Sequence, residues 1–129
     1  MRTRYLFILA ILVASPAAFA AEPPSYSKQI RPFLARYCSE CHNAKEFKGG
    51  LNLESYAALM EGGLHGPVLV AGKADDSRIV GQVEGKMKPT MPPKKATRRP
   101  MPEEVAVLRA WIDAGAADDG GSTIIALPD

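Results

Sequence analysis

The sequence predicts an all-α domain, and three observations carry the prediction. Apolar residues recur at steps of three and four from Ile30 to Cys41 and again from Val105 to Ile112, the spacing of one helical face. No alternating apolar and polar run of strand length interrupts them. Glycines and prolines divide the chain between those segments into short helices and irregular loops.

Ahead of the domain, residues 1–20 read as an export signal. Arg2 and Arg4 make a short basic start, "YLFILAILVA" is an apolar run of ten residues, and "AFA" at Ala18 to Ala20 offers small residues for cleavage. A membrane-spanning helix needs roughly 20 apolar residues. The run is too short for an anchor, so the remainder is expected to be periplasmic and to have no membrane span. Residues 21–27 are a Pro-rich, disordered leader, the domain covers 28–117, and 118–129 is an acidic tail whose "TIIAL" is free to dock.

The first helix places Ile30, Phe33, Leu34, Tyr37, Cys38 and Cys41 on one face, with Ser27 as its cap, and ends at or just past the cysteines. Pro32 is compatible with it only in the first turn, where no N–H is needed. A short helix follows in "SYAALMEGG", capped by Asn52 or Ser55 and stopped by Gly62 and Gly63. "LHGPVLVAGKA" is an extended loop. Asp75 or Asp76 starts a further short helix with Ile79, Val80 and Val83 on its apolar side, ending near Gly85. "KMKPTMPPKKATRRP" has four prolines and no periodicity, and an irregular loop of that length in a compact domain points to a function. The last helix opens at Pro102, has Glu103 and Glu104 at its positive end, buries Val105, Leu108, Trp111 and Ile112, and stops at Gly115.

Charge narrows the function classes. Of the 16 Lys and Arg residues, two lie in the export signal, which leaves 14 to balance the 14 acidic ones. A domain of near-zero net charge is not built for nucleic acid. The six basic residues from Lys86 to Arg99 stand without an acidic neighbour, whereas Asp113, Asp118, Asp119 and Asp129 follow Arg109 with no base. No paired carboxylates or nucleophile and base suggest substrate turnover, so an enzyme is not expected.

Cys38 and Cys41 are the only cysteines, and His42 follows the second directly. On one helical turn, positions i, i+3 and i+4 face the same way. Two thiols so placed can add to the two vinyl groups of a haem, and the adjoining imidazole can bind its iron; C-x-x-C-H in an exported chain is the spacing of covalent haem attachment. A redox dithiol would open a helix after a strand, and this pair closes one. A disulfide across so few residues would stabilise little, and a zinc site would need four ligands with His65 among them.

The quoted stretches "RPFLARYCSECHN", "KGGLNLESYAALMEGGLHGPVLVAGKADDSRIV", "MPPKK" and "EEVAVLRAWIDAGA" occur in the order found in planctomycete-type cytochrome c domains, which the chain resembles from about Gln29 to Ala116. That resemblance implies a small fold of the class I monohaem type: first and last helices crossing, short helices and long loops around one haem c, and a distal methionine in the "MPP" loop. Met101 stands where a leucine is common in that family, and His65 lies in a glycine-rich loop where the residue varies.

Five side chains are candidates for the iron position opposite His42: Met60, His65, Met87, Met91 and Met101. Met60 lies on a helix and is expected in the core. Met101 begins the last helix and is expected to pack as the family's leucine does. Met87 has flexible, charged neighbours. Met91 stands between Pro89 and Pro92–Pro93, which lower the entropy lost on fixing its sulfur, and it is the methionine of "MPP". Met91 is therefore the expected ligand, with Met87 next and exposed His65 as the bis-histidine outlier. His42 is expected to donate its second ring N–H to a carbonyl of "NAKEFKGG". Trp111 is expected to pack near the first helix around Phe33, with Tyr37 and Tyr56 at the edge of the core.

The resulting expectation is an electron-transfer protein whose haem iron cycles between ferrous and ferric under His42 and Met91, with a redox partner protein docking at Lys86 to Arg99. The alternative is a haem-based sensor or small peroxidase with an open sixth position.

Overall fold

Pro102 opens the longest helix of the described residues because its fixed φ suits a first turn and its missing N–H would have been unpaired there. Glu104 completes that start by accepting the Met101 N–H at 2.8 Å. Val105, Leu108, Trp111 and Ile112 are all buried, the face expected from their spacing. Each such side chain contributes about 1.5–3 kcal/mol on leaving water.

The computed structural model describes residues 21–120. The export signal expected at 1–20 and the "TIIAL" of the tail lie outside the described residues. Four helices, α1 (Arg31–Tyr37), α2 (Tyr56–Glu61), α3 (Arg78–Val83) and α4 (Pro102–Asp113), occur among the described residues, with no strand. The fold is thus all-α.

A π-helical turn, Tyr26–Ile30, leads directly into α1. Its cap is Ser25, not Ser27: the Ser25 hydroxyl accepts the Lys28 N–H at 3.1 Å. The wide turn also accounts for Pro32. The N–H groups of Ile30 and Arg31 reach back to the carbonyls of Ser25 and Tyr26, so the ladder is already out of α register where proline has no proton to give.

Order therefore begins before residue 28, where the sequence alone ends a disordered leader. Tyr26 is 1% exposed and packs edge-on to Tyr56 at 5.2 Å and tilted against Trp111 at 5.7 Å. Trp111 takes Tyr26 as its aromatic neighbour, while Phe33 pairs with Tyr37. Asp119, from the tail, accepts the Ser27 N–H at 2.9 Å and also bonds the Ser25 hydroxyl.

Ser55 caps α2 by accepting the Ala58 N–H at 3.2 Å, and Gly62 ends it. Met60 lies on the outer side of α2, 36% exposed, and is not a core residue. The start of α3 is Ser77 rather than Asp75 or Asp76. Asp75 is drawn instead to Arg109 of α4, which also holds Glu84 at 3.1 Å. The Ser77 hydroxyl donates to the Lys73 carbonyl at 2.8 Å and accepts the Val70 N–H at 2.9 Å, which folds the loop before α3 back on itself. Asp113 accepts the Ala74 N–H at 2.8 Å and so ties that loop to α4.

Candidate functional site

The cysteines stand just beyond α1, not within it. Cys38 is the cap of α1, and the N–H groups of Cys41 and His42 both bond to its carbonyl, at 3.2 and 3.0 Å. One helical turn is thus kept past the end of the helix, and with it the shared direction of positions 38, 41 and 42.

Asn43 holds that turn. Its amide donates to the carbonyls of Ser39 at 2.7 Å and Glu40 at 3.1 Å, and its oxygen accepts the N–H groups of Lys45 at 2.8 Å and Glu46 at 2.9 Å. Sequence reasoning passed over this residue. The available signal was an asparagine directly after the C-x-x-C-H pattern, a side chain suited to satisfying backbone in a tight turn.

His42 Nδ1 lies 2.9 Å from the Lys48 carbonyl, within the stretch expected from the sequence. A carbonyl only accepts, so Nδ1 carries the proton and Nε2 keeps a bare lone pair. Burial holds the imidazole below its ordinary pKa, which favours the neutral, ligating form. The accepting loop is itself anchored: the Leu64 N–H bonds to Gly49 O at 2.9 Å, and a side chain at Gly63 would meet the same oxygen at 2.6 Å. Only glycine permits that approach.

Burial, and secondarily the neighbouring Cys41, pushes the Cys38 thiol up to about 12. A redox-active dithiol lowers its thiol pKa instead, so this microenvironment opposes the thioredoxin-like reading. Among the described residues no group of three or more His, Cys, Asp or Glu side chains is gathered to hold a metal ion by itself.

Two cavities of about 660 and 300 Å³ adjoin the turn, within the range of sites for organic ligands. Cys38, His42, Lys48 and Met91 lie in the walls of both. Cys41 lines the larger, together with Arg36, Lys95 and Arg98. Leu51, Leu53, Val68, Ile79, Val83 and Pro89 give the smaller one an apolar surface.

Of the five candidates for the distal position, Met91 alone lines both cavities; His65 lines the smaller, and Met60, Met87 and Met101 line neither. Met87, expected to be loosely held, lies over Gly81 of α3, with its N–H bonded to the Gly81 carbonyl at 2.9 Å. Met101 is 62% exposed and does not pack inward as a leucine would.

Such an arrangement defines a small helical domain with a thiol, thiol and imidazole turn beside two adjoining cavities that share Met91 in their walls. The family model described as planctomycete cytochrome C matches residues 38–95. That match supports a planctomycete-type cytochrome c domain over those residues. Domains of that family bind haem and are typically electron carriers rather than enzymes. Comparison with curated proteins and with solved structures finds no match. No helix among the described residues is long and apolar enough to cross a membrane.

The residues present fit a haem. Two thiols, a neutral imidazole with a bare Nε2 and a thioether surround the cleft, its inner walls are apolar, and cations border its larger part.

Proposed function

We propose that the protein is an exported, monohaem electron-transfer cytochrome of the class I type, with the haem attached through Cys38 and Cys41 and its iron ligated by His42 and Met91. The observation that carries the reading is that Met91 alone among the candidates shares both cavity walls with Cys38 and His42. When bound, the haem supplies a one-electron couple between ferrous and ferric iron.

The chain's residues give that couple its setting. Lys48 O fixes the His42 tautomer and makes Nε2 a stronger donor. Met91, a soft thioether, favours the reduced state, and its N–H is tied to the Gln82 carbonyl of α3 at 3.0 Å. The apolar walls exclude water, which further favours the less charged state. Lys95 and Arg98 border the larger cavity within the basic segment Lys86 to Arg99, a surface suited to steering an acidic redox partner.

Optical spectroscopy tests the reading. The ferric protein should show the far-red methionine-to-iron band, and Met91→Ala should abolish it, lower the potential and open the ferrous form to carbon monoxide. Retention of the band in Met91→Ala would exclude Met91. Rapid carbon monoxide binding by the unmodified ferrous protein would instead favour a sensor or peroxidase with an open sixth position.

A further inference from the structure

We infer that Arg78, the first residue of α3, receives the haem carboxylates, with His65 beside it. The inference rests on the haem reading above and extends it to the opposite edge of the ring. The vinyl groups that would bond the cysteines occupy one edge of a haem, its carboxylates the other, and the iron lies between.

The cavity walls repeat that order. Cys41 lines only the larger cavity, Cys38, His42 and Met91 line both, and Arg78 and His65 line only the smaller. A ring attached at the cysteines and held by His42 and Met91 would therefore have its carboxylate edge toward Arg78.

Arg78 itself lacks what its position demands. It is half-buried, beside Val68, Ile79 and Val83, and among the described residues its guanidinium makes one bond, from Nη1 to the His65 carbonyl at 3.0 Å. Among the described residues no carboxylate pairs with it, whereas Arg36 pairs with Glu104, and Arg109 with Asp75 and Glu84. A partly desolvated guanidinium with most of its five donors unused is a poor state without an anion, and its planar fork matches a carboxylate.

The backbone that carries Arg78 is also fixed. Ser77 is buried and bonded to Val70 and Lys73, and the Ile79 N–H bonds to Val68 O at 2.8 Å. The rival cations Arg36, Lys95 and Arg98 line the larger cavity, the one that Cys41 also lines.

The test compares midpoint potentials of Arg78→Gln, Arg78→Lys and Arg98→Gln holoproteins by spectroelectrochemistry at low and high salt. Loss of the cation beside the carboxylates stabilises ferric iron, so Arg78→Gln should shift the midpoint downward. Arg78→Lys should restore most of the shift, and Arg98→Gln, at the Cys41 end of the cleft, should shift the midpoint less than Arg78→Gln does. An unchanged midpoint in Arg78→Gln, or a larger shift in Arg98→Gln, overturns the assignment.

Should Arg78→Gln fail to fold, Arg78→Lys carries the test. A single ammonium keeps the charge but not the fork, so the midpoint should become more salt-dependent. An unchanged salt dependence there overturns the proposal. Pigment retention in acidified organic solvent tests attachment separately: an unmodified protein that loses its pigment overturns the haem-attachment reading and this assignment with it.

Discussion

Asn43→Ala should unfold the attachment turn at a cost that can be worked from its four bonds. Two donor bonds, to Ser39 O and Glu40 O, and two acceptor bonds, from the Lys45 and Glu46 N–H groups, disappear together. Glu40, Lys45 and Glu46 are exposed, so water replaces those three partners and each loss costs about 0.5 kcal/mol. Ser39 is 2% exposed, so water is a poor substitute at its carbonyl, and that loss costs about 1–3 kcal/mol. The total is about 2.5–4.5 kcal/mol, which for a domain of this size lowers the melting temperature by about 10–35 °C. Thermal unfolding of the purified holoprotein, followed by circular dichroism, measures it. Asn43→Asp keeps the acceptor bonds but sets a carboxylate oxygen against the Ser39 carbonyl, and should melt no higher than Asn43→Ala. If Asn43→Ala melts within a few degrees of the unmodified protein, Asn43 does not hold the turn.

Three further outcomes are expected. The Tyr26 hydroxyl is buried with no hydrogen-bond partner among the described residues, so Tyr26→Phe should raise stability by about 1 kcal/mol, and a lower melting temperature would contradict this. The Ser25 hydroxyl and then the Ser27 N–H hold the Asp119 carboxyl below its ordinary pKa, as the Met101 N–H and then the Tyr37 hydroxyl do for Glu104. Depressed native values mean that this stabilisation is complete above the ordinary carboxylate range of about 4 and is lost as pH falls through and below it. A Glu104→Gln, Asp119→Asn variant should therefore lose stability less steeply with acid, and an equal slope would refute the linkage. The Cys38→Ala, Cys41→Ala variant should lose most of its helical signal, because the cleft then has no attached group to close upon; a cooperative melt near the original temperature would show that attachment is not a condition of folding.

The parts of the fold legible in the sequence are those that local spacing determines. The buried face of α4 follows from Val105, Leu108, Trp111 and Ile112 alone, and the cysteine and histidine turn from three residue identities within five positions. What escaped was decided by contacts distant in sequence. Tyr26 is ordered by Tyr56, Trp111 and the clasp of Asp119, none of which a Pro-rich leader reveals. Asp75 is a good cap by type but is drawn to Arg109, and Ser77 takes the cap position instead. Met60 and Met101 were expected to pack inward, and tertiary packing leaves them 36% and 62% exposed instead. Met91 was legible because prolines flank it; Arg78 was not, since a lone arginine at a helix start carries no local sign of a cavity.

The clasp between Asp119 and the Ser25–Ser27 segment has a consequence for how such a domain can be joined to other polypeptide. Residues 25 and 119 lie side by side although 94 positions separate them. A host chain entering at one and leaving at the other would meet a single anchorage, so the domain can be inserted like a bead without prying apart the segments around it. By the same proximity a short peptide bridge would join 119 to 25 and close the backbone into a ring around the attachment turn.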